Sequence, residues 1–175
     1  MKILLCLTLI LFYTSVFTSC SSDEGTVASL REASIVGTWN LSALETTNGR
    51  SDTNFDTTYI PTTFTELGKD FATIVTFSEG PNRVTTNGIY TTVLTTTIMG
   101  ETTIEQQEGE PFFECDEWRL ENGMLYLRTG EKEVEITITK FTDSKITLSY
   151  TVDETVDLFC AQTRVSATYN MTLSK

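Results

Sequence analysis

Carboxylates are the reactive groups this chain has in number, and imidazoles are the ones it lacks: 24 Asp and Glu against no His in 175 residues. Without histidine there is no Ser-His-Asp or Cys-His nucleophilic site, no imidazole zinc site and no histidine acid–base pair. Glycine-rich phosphate loops and EF-hand spacing are also missing. Oxygen chemistry remains, in two clusters. Glu114, Asp116 and Glu117 surround Cys115, and Asp153, Glu154 and Asp157 form a second group. Three acids in a loop have the ligand type for a hard cation such as Ca²⁺, and two at the right separation can act as a glycosidase pair. Both clusters stand where turns and strand starts are expected, so they read as solvated charges. No catalytic residue, metal site or cofactor is assigned, and a non-enzymatic role is expected.

Sulfur offers a second chemistry. Lys2 precedes an apolar run from Ile3 to Phe17, which ends in Thr18-Ser19-Cys20 and is followed by Ser21-Ser22-Asp23-Glu24. At about fifteen residues the run is short of the roughly twenty that a membrane span needs, and it has the proportions of a secretory signal. The small-small-Cys ending resembles the bacterial lipobox, with Phe17 where Leu is usual. The resemblance implies cleavage after residue 19 and a lipid on Cys20, which holds the protein to a membrane. The Ser/Asp/Glu stretch after Cys20 resembles the tag that takes Bacteroidota lipoproteins to the outer face of the outer membrane. An outer-membrane address is expected, periplasmic or cell-surface, with the surface favoured by Ser21 to Glu24.

Residues 1–19 then form the signal, 20–33 a polar tether and 34–175 one domain. Lys2 is the single charge of the signal, so the remaining 156 residues carry 24 acids against 11 bases. Such a polyanion is repelled by nucleic acid and by anionic lipid, and nucleic acid is excluded as a partner. Cys6 leaves with the signal, and Cys115 and Cys160 remain as a possible disulfide in an oxidising compartment. It would close a loop of about 45 residues, worth about 4 kcal/mol on the chain-entropy view.

The elements that must position these groups read as strands. Ile35, Gly37, Trp39, Leu41 and Ala43 alternate, as do Phe71, Thr73, Val75 and Phe77 before a turn at Gly80-Pro81-Asn82. Residues 45–69, rich in Thr, Asn and Asp and holding Pro61, read as a long loop. Val84 to Ile104 is expected to make two strands meeting near Thr95 to Gly100. Asn122-Gly123 predicts a two-residue hairpin that sets Leu120 opposite Leu125 and Trp118 opposite Leu127. A three-residue turn at Thr142-Asp143-Ser144 pairs Ile138 with Leu148. The last strand carries Phe159, Ala161, Val165, Ala167, Tyr169, Met171 and Leu173 on one side, with Arg164 on the other. Convincing helical periodicity is absent. The reading is all-β: a single antiparallel up-and-down barrel of eight to nine strands.

Three pieces in order resemble the lipocalin-like domains of Bacteroidota lipoproteins. They are Ile35-Val36-Gly37-Thr38-Trp39-Asn40-Leu41, the stretch from Phe71 to Gly80, and the Trp118-x-Leu-x-Asn-Gly-x-Leu hairpin with its Ile-x-x-Phe-x-Asp-x-x-Ile-x-Leu successor. The resemblance covers most of 34–174. It implies a tryptophan, Trp39, closing the barrel base beside an arginine of the final strand, yet Arg164 has outward parity. It also implies a small apolar or amphipathic ligand in the barrel. Trp39, Phe71, Phe77, Trp118, Tyr150 and Tyr169 are the candidate base and ligand-lining residues, and lipophilic probes are expected to change the fluorescence of Trp39 or Trp118. The alternative is a filled barrel acting as a non-catalytic structural or protein-interaction module of the envelope, its protein partner unidentified. Asp56-Thr57-Thr58 resembles the Asp-Thr/Ser-small O-glycosylation site of exported Bacteroidota proteins, which makes Thr57 a candidate acceptor.

Overall fold

Hairpins organise the molecule. In the computed structural model, residues 32–55, 57–109, 115, 117–158 and 161–175 are described. One helical turn, α1 (Glu32–Ile35), leads into eleven strands: β1 (Gly37–Phe55), β2 (Thr58–Lys69), β3 (Ile74–Ser78), β4 (Arg83–Asn87), β5 (Tyr90–Ile98), β6 (Glu101–Gly109), β7 (Glu117–Glu121), β8 (Met124–Thr129), β9 (Lys132–Thr142), β10 (Lys145–Leu158) and β11 (Ala161–Ser174). Every strand pairing is antiparallel, and the class is all-β.

Eight strands follow one another around a ring. The start of β1 pairs with β3, β3 with β4, and the path continues from β7 through β8, β9, β10 and β11 back to β1. The ladder itself does not close. Between β4 and β7 the contact is a single bridge, Val84 with Cys115, supported by the Trp118 amide donating to the Asn82 carbonyl at 3.2 Å. The Trp118 indole donates to the Ser78 carbonyl at 3.0 Å and the Asn82 side chain to the Trp118 carbonyl at 3.2 Å, which completes this seam. Each ring strand sends large side chains inward: Trp39 and Leu41, Val75 and Phe77, Val84, Trp118, Leu125 and Leu127, Ile136 and Ile138, Ile146 and Leu148, Met171 and Leu173, all buried. A small eight-stranded barrel is just wide enough for side chains to fill, and these fill it.

The other three strands extend the sheet beyond the ring, in the order β6-β5-β2-β1-β11-β10. Here the expected count of eight to nine strands is corrected to eleven among the described residues, eight of them in the ring. Residues 45–69 are not a loop: β1 runs 19 residues to Phe55 and returns as β2. One face of this extension is only partly buried and is lined as much by Thr, Glu and Gly as by apolar residues, so the period-2 hydrophobic signal is lost. Threonine, β-branched, is what keeps its strands extended. Pro61 is tolerated because the β2–β5 ladder starts only at Thr62. The Val84 to Ile104 stretch likewise holds parts of three strands, turning at Met99-Gly100.

Two local corrections follow from bulges. Pairing to β11 skips a residue between Leu41 and Ala43, so Ala43 faces outward and Leu44 takes the inward place. The β9–β10 turn is the two-residue Asp143-Ser144, and a register shift at Thr147/Leu148 restores the expected Ile138–Leu148 pair. The Asn122-Gly123 hairpin has the expected register, Leu120 with Leu125 and Trp118 with Leu127, and both turn residues have positive φ. Where ring and extension part, Gly88 has φ +101° and a Cβ added there would stand 2.0 Å from the Ala72 carbonyl oxygen, so only glycine fits.

Candidate functional site

The six aromatic candidates separate into two layers. Trp39, Phe77 and Trp118 lie at 0, 1 and 1 % exposure inside the ring. The Trp39 indole donates to the Ile35 carbonyl at 2.8 Å, tying α1 to the base, and Phe77 meets Trp118 edge-on at 5.7 Å. The cation over Trp39 is Lys175, 4.3 Å from the ring centre; Arg164 is outward and donates twice to Asp153, at 2.8 and 2.7 Å. These aromatics are core, and no ligand surface remains on them.

Phe71, Tyr150 and Tyr169 occupy the second layer, where the ring gives way to the extension. Register places Tyr150 opposite Tyr169, directly after the Leu148–Met171 pair of the core. Their rings stack at 4.8 Å, 11° from parallel. On β1 and β2 the same layer holds Thr46, whose hydroxyl donates to Glu66 at 3.3 Å. Phe71 stacks on Tyr90 at 6.2 Å, completing an aromatic shelf over the packed base. Glycines make room for it. A Cβ on Gly68 would stand 2.8 Å from the Phe71 ring, and one on Gly109 2.2 Å from that of Tyr90. Aromatic rings lying over strand glycines compensate the missing side chain. Tyr90, Glu66 and the two glycines were not singled out from sequence; their inward parity emerges only once 58–69 and 101–109 are known as strands.

Burial sets the electrostatics of the shelf. Desolvation, with smaller contributions from Tyr169, Glu66 and Tyr90, pushes the Tyr150 phenol up to about 12. Burial and then Glu66 raise Tyr169 also. Both phenols are therefore neutral at physiological pH, each with one O–H to donate, beside a carboxylate that accepts. Stacked rings with two donors and an acceptor can hold a flat, amphipathic molecule.

The acid clusters are engaged locally. Glu117 pairs with Arg128, Asp153 with Arg164 and Glu154 with Lys132 at 3.4 Å, and Asp157 accepts from Gln162 at 3.1 Å. Glu114 and Asp116 lie outside the described residues, as do Cys20, Cys160 and Asp56. The Cys115–Cys160 bond and the lipid site are therefore beyond this description. Among the described residues no three His, Cys, Asp or Glu gather in a way that would hold a metal ion. Thr57 is exposed in the β1–β2 turn.

The likeness to known proteins is slight. No family model matches the chain, and no curated protein does. A solved structure of the S-type phycobiliprotein lyase CPES from Guillardia theta is similar at 7 % identity with a TM-score of 0.29, over 87 % of this chain and 97 % of that one.

Proposed function

We propose that the chain is a lipid-anchored lipoprotein of the bacterial outer membrane that binds a small amphipathic molecule, without catalysis. The ligand rests on the aromatic shelf rather than inside the barrel. The stacked, half-buried pair Tyr150–Tyr169 carries this reading, because two desolvated phenols facing an open sheet have a reason to be there if a flat ligand completes their surroundings. Glu66 and the phenols orient the polar end. The lipid on Cys20 supplies the membrane partner, and several acyl chains exceed the two signals that stable anchoring takes.

The filled ring favours a second reading, a structural or interaction module of the envelope. One experiment separates the two. The protein is purified from its own membrane in nonionic detergent, its small molecules are extracted, and wild type is compared with Tyr150→Leu/Tyr169→Leu. A bound compound present in wild type and depleted in the double variant supports the shelf; the same extract from both, or none from either, supports the module. Intact mass of the mature N-terminus checks the anchor independently: acyl increments on Cys20 are expected, and an unmodified N-terminus overturns the address.

A further inference from the structure

The β5–β6 hairpin is the least protected part of the molecule. β6 ends the sheet order, and among the described residues no strand pairs with its outer side. An unpaired edge offers a row of amide and carbonyl groups to any extended chain, and natural proteins blunt it with lysine, proline, bulges or shortness. β6 has no lysine, no proline and no bulge, and its guard is three glutamates, which repel an acidic or identical strand and leave the edge open to a basic one. β6 is nine residues long, Glu-Thr-Thr-Ile-Glu-Gln-Gln-Glu-Gly, and runs in unbroken register with β5 from Ile98–Glu101 to Tyr90–Gly109.

Its side chains are sorted by face. Glu101, Thr103 and Glu105 share the face of the shelf; Thr102, Ile104 and Glu108 take the other. Neither β5 nor β6 contains a basic residue, and the lysine that reaches β6, Lys69, donates to Gln106 on the other face at 2.9 Å. Glu101 and Glu105 are thus two exposed carboxylates about 13 Å apart along one strand face. At the hairpin end, Ile98, Met99, Glu101 and Thr103 line an open hollow of about 420 Å³. Met99 is 73 % and Ile104 67 % exposed.

We propose that the β6 edge docks a basic β-strand from a partner protein. The partner's backbone extends the sheet by antiparallel pairing. Two of its lysines or arginines, four residues apart, meet Glu101 and Glu105. A long basic side chain suits the hollow: its aliphatic stem lies on Ile98 and Met99 and its charged head reaches Glu101. Charge chooses this occupant over the others. Pairing β6 with β6 of a second copy would bring six glutamates into two adjacent strands, where like charges destabilise. An anionic lipid surface repels the same carboxylates. The shelf reaches β6 only at Gly109, under Tyr90, whereas Glu101 lies at the opposite end of the same strand and the docking groups are the outer backbone edge.

The full-length chain in nonionic detergent is titrated with a blocked nine-residue peptide of threonine and valine carrying two lysines four apart, followed by calorimetry. Saturable binding that weakens as salt rises is expected. Glu101→Lys/Glu105→Lys should weaken it about tenfold, Glu108→Lys on the opposite face should change it far less, and N-methylation of alternate peptide amides should abolish it. Circular dichroism of each variant confirms that the sheet is kept. The proposal is overturned if the lysine peptide binds no better than its glutamate counterpart, or if the double variant or N-methylation leaves affinity unchanged. Sedimentation showing dimers lost on blocking β6, or flotation of the unlipidated Cys20→Ser chain with phosphatidylcholine–phosphatidylglycerol vesicles through Met99, would equally overturn it by naming another occupant.

Discussion

Trp39 is the residue on which the base depends. It is fully buried, hydrogen-bonded to Ile35 and covered by Lys175. Trp39→Ala is expected to cost about 3–5 kcal/mol, the range for deleting a buried large aromatic, measured by urea denaturation. Lys175→Ala should cost far less, because exposed cation–π contacts contribute about 0.5–1 kcal/mol. Tyr150 gives a pH signature. Its phenol is raised from 10 to about 12 in the folded protein, so the neutral form is the one the fold favours. The resulting stability is complete below pH 10 and is lost as pH climbs towards 12. Absorbance titration should find late-titrating tyrosines, Tyr150 and Tyr169, with one fewer in Tyr150→Phe. At this scale the sequence named the core aromatics and, with Phe71, Tyr150 and Tyr169, most of the shelf, but did not separate the two. Alternation picked out Trp39, Phe77 and Trp118, yet it could not tell core aromatics from shelf aromatics, since parity is the same for both.

Elements differ in how openly the sequence declares them. The Asn122-Gly123 hairpin was legible because a positive-φ turn and facing apolar pairs agree on one register. β1 beyond residue 45 and β2 were not, and β6 was expected only as far as Ile104, because strands whose half-buried face mixes Thr, Glu and Gly with apolar residues carry no clear alternation. Their positions are instead held by close backbone approaches. An added Cβ on Gly49 would stand 2.2 Å from the Phe64 carbonyl. Gly49→Ala is expected to cost about 1–3 kcal/mol, with hydrogen exchange rising first across β2 and β5. The β4–β7 seam is the other weak line. Asn82→Ala removes one hydrogen bond there and should cost about 1 kcal/mol, with faster exchange of the Trp118 amide.

The whole molecule has two ends with different tasks. The ring is packed and closed at its base by α1, while β1 alone carries the sheet roughly 60 Å, at 3.3 Å per residue, to the hairpin tips. The shelf lies between them. The chain's excess of acids over bases, 24 against 12, repels anionic surfaces and is the ground on which a basic partner was proposed for β6. The proposed ligand contact lies on the shelf and not in the ring, where Trp39 and Trp118 are buried, so the tyrosines rather than the indoles are expected to report binding. Aromatic chemical-shift mapping of the full chain in nonionic detergent, titrated with tryptamine, tests this most directly: the ring suits the tyrosines and the ammonium suits Glu66. Saturable shifts at Phe71, Tyr90, Tyr150 and Tyr169, with both indoles unmoved, are predicted. Shifts centred on the Trp39 and Trp118 indoles, or no saturable shift at the shelf, would contradict it.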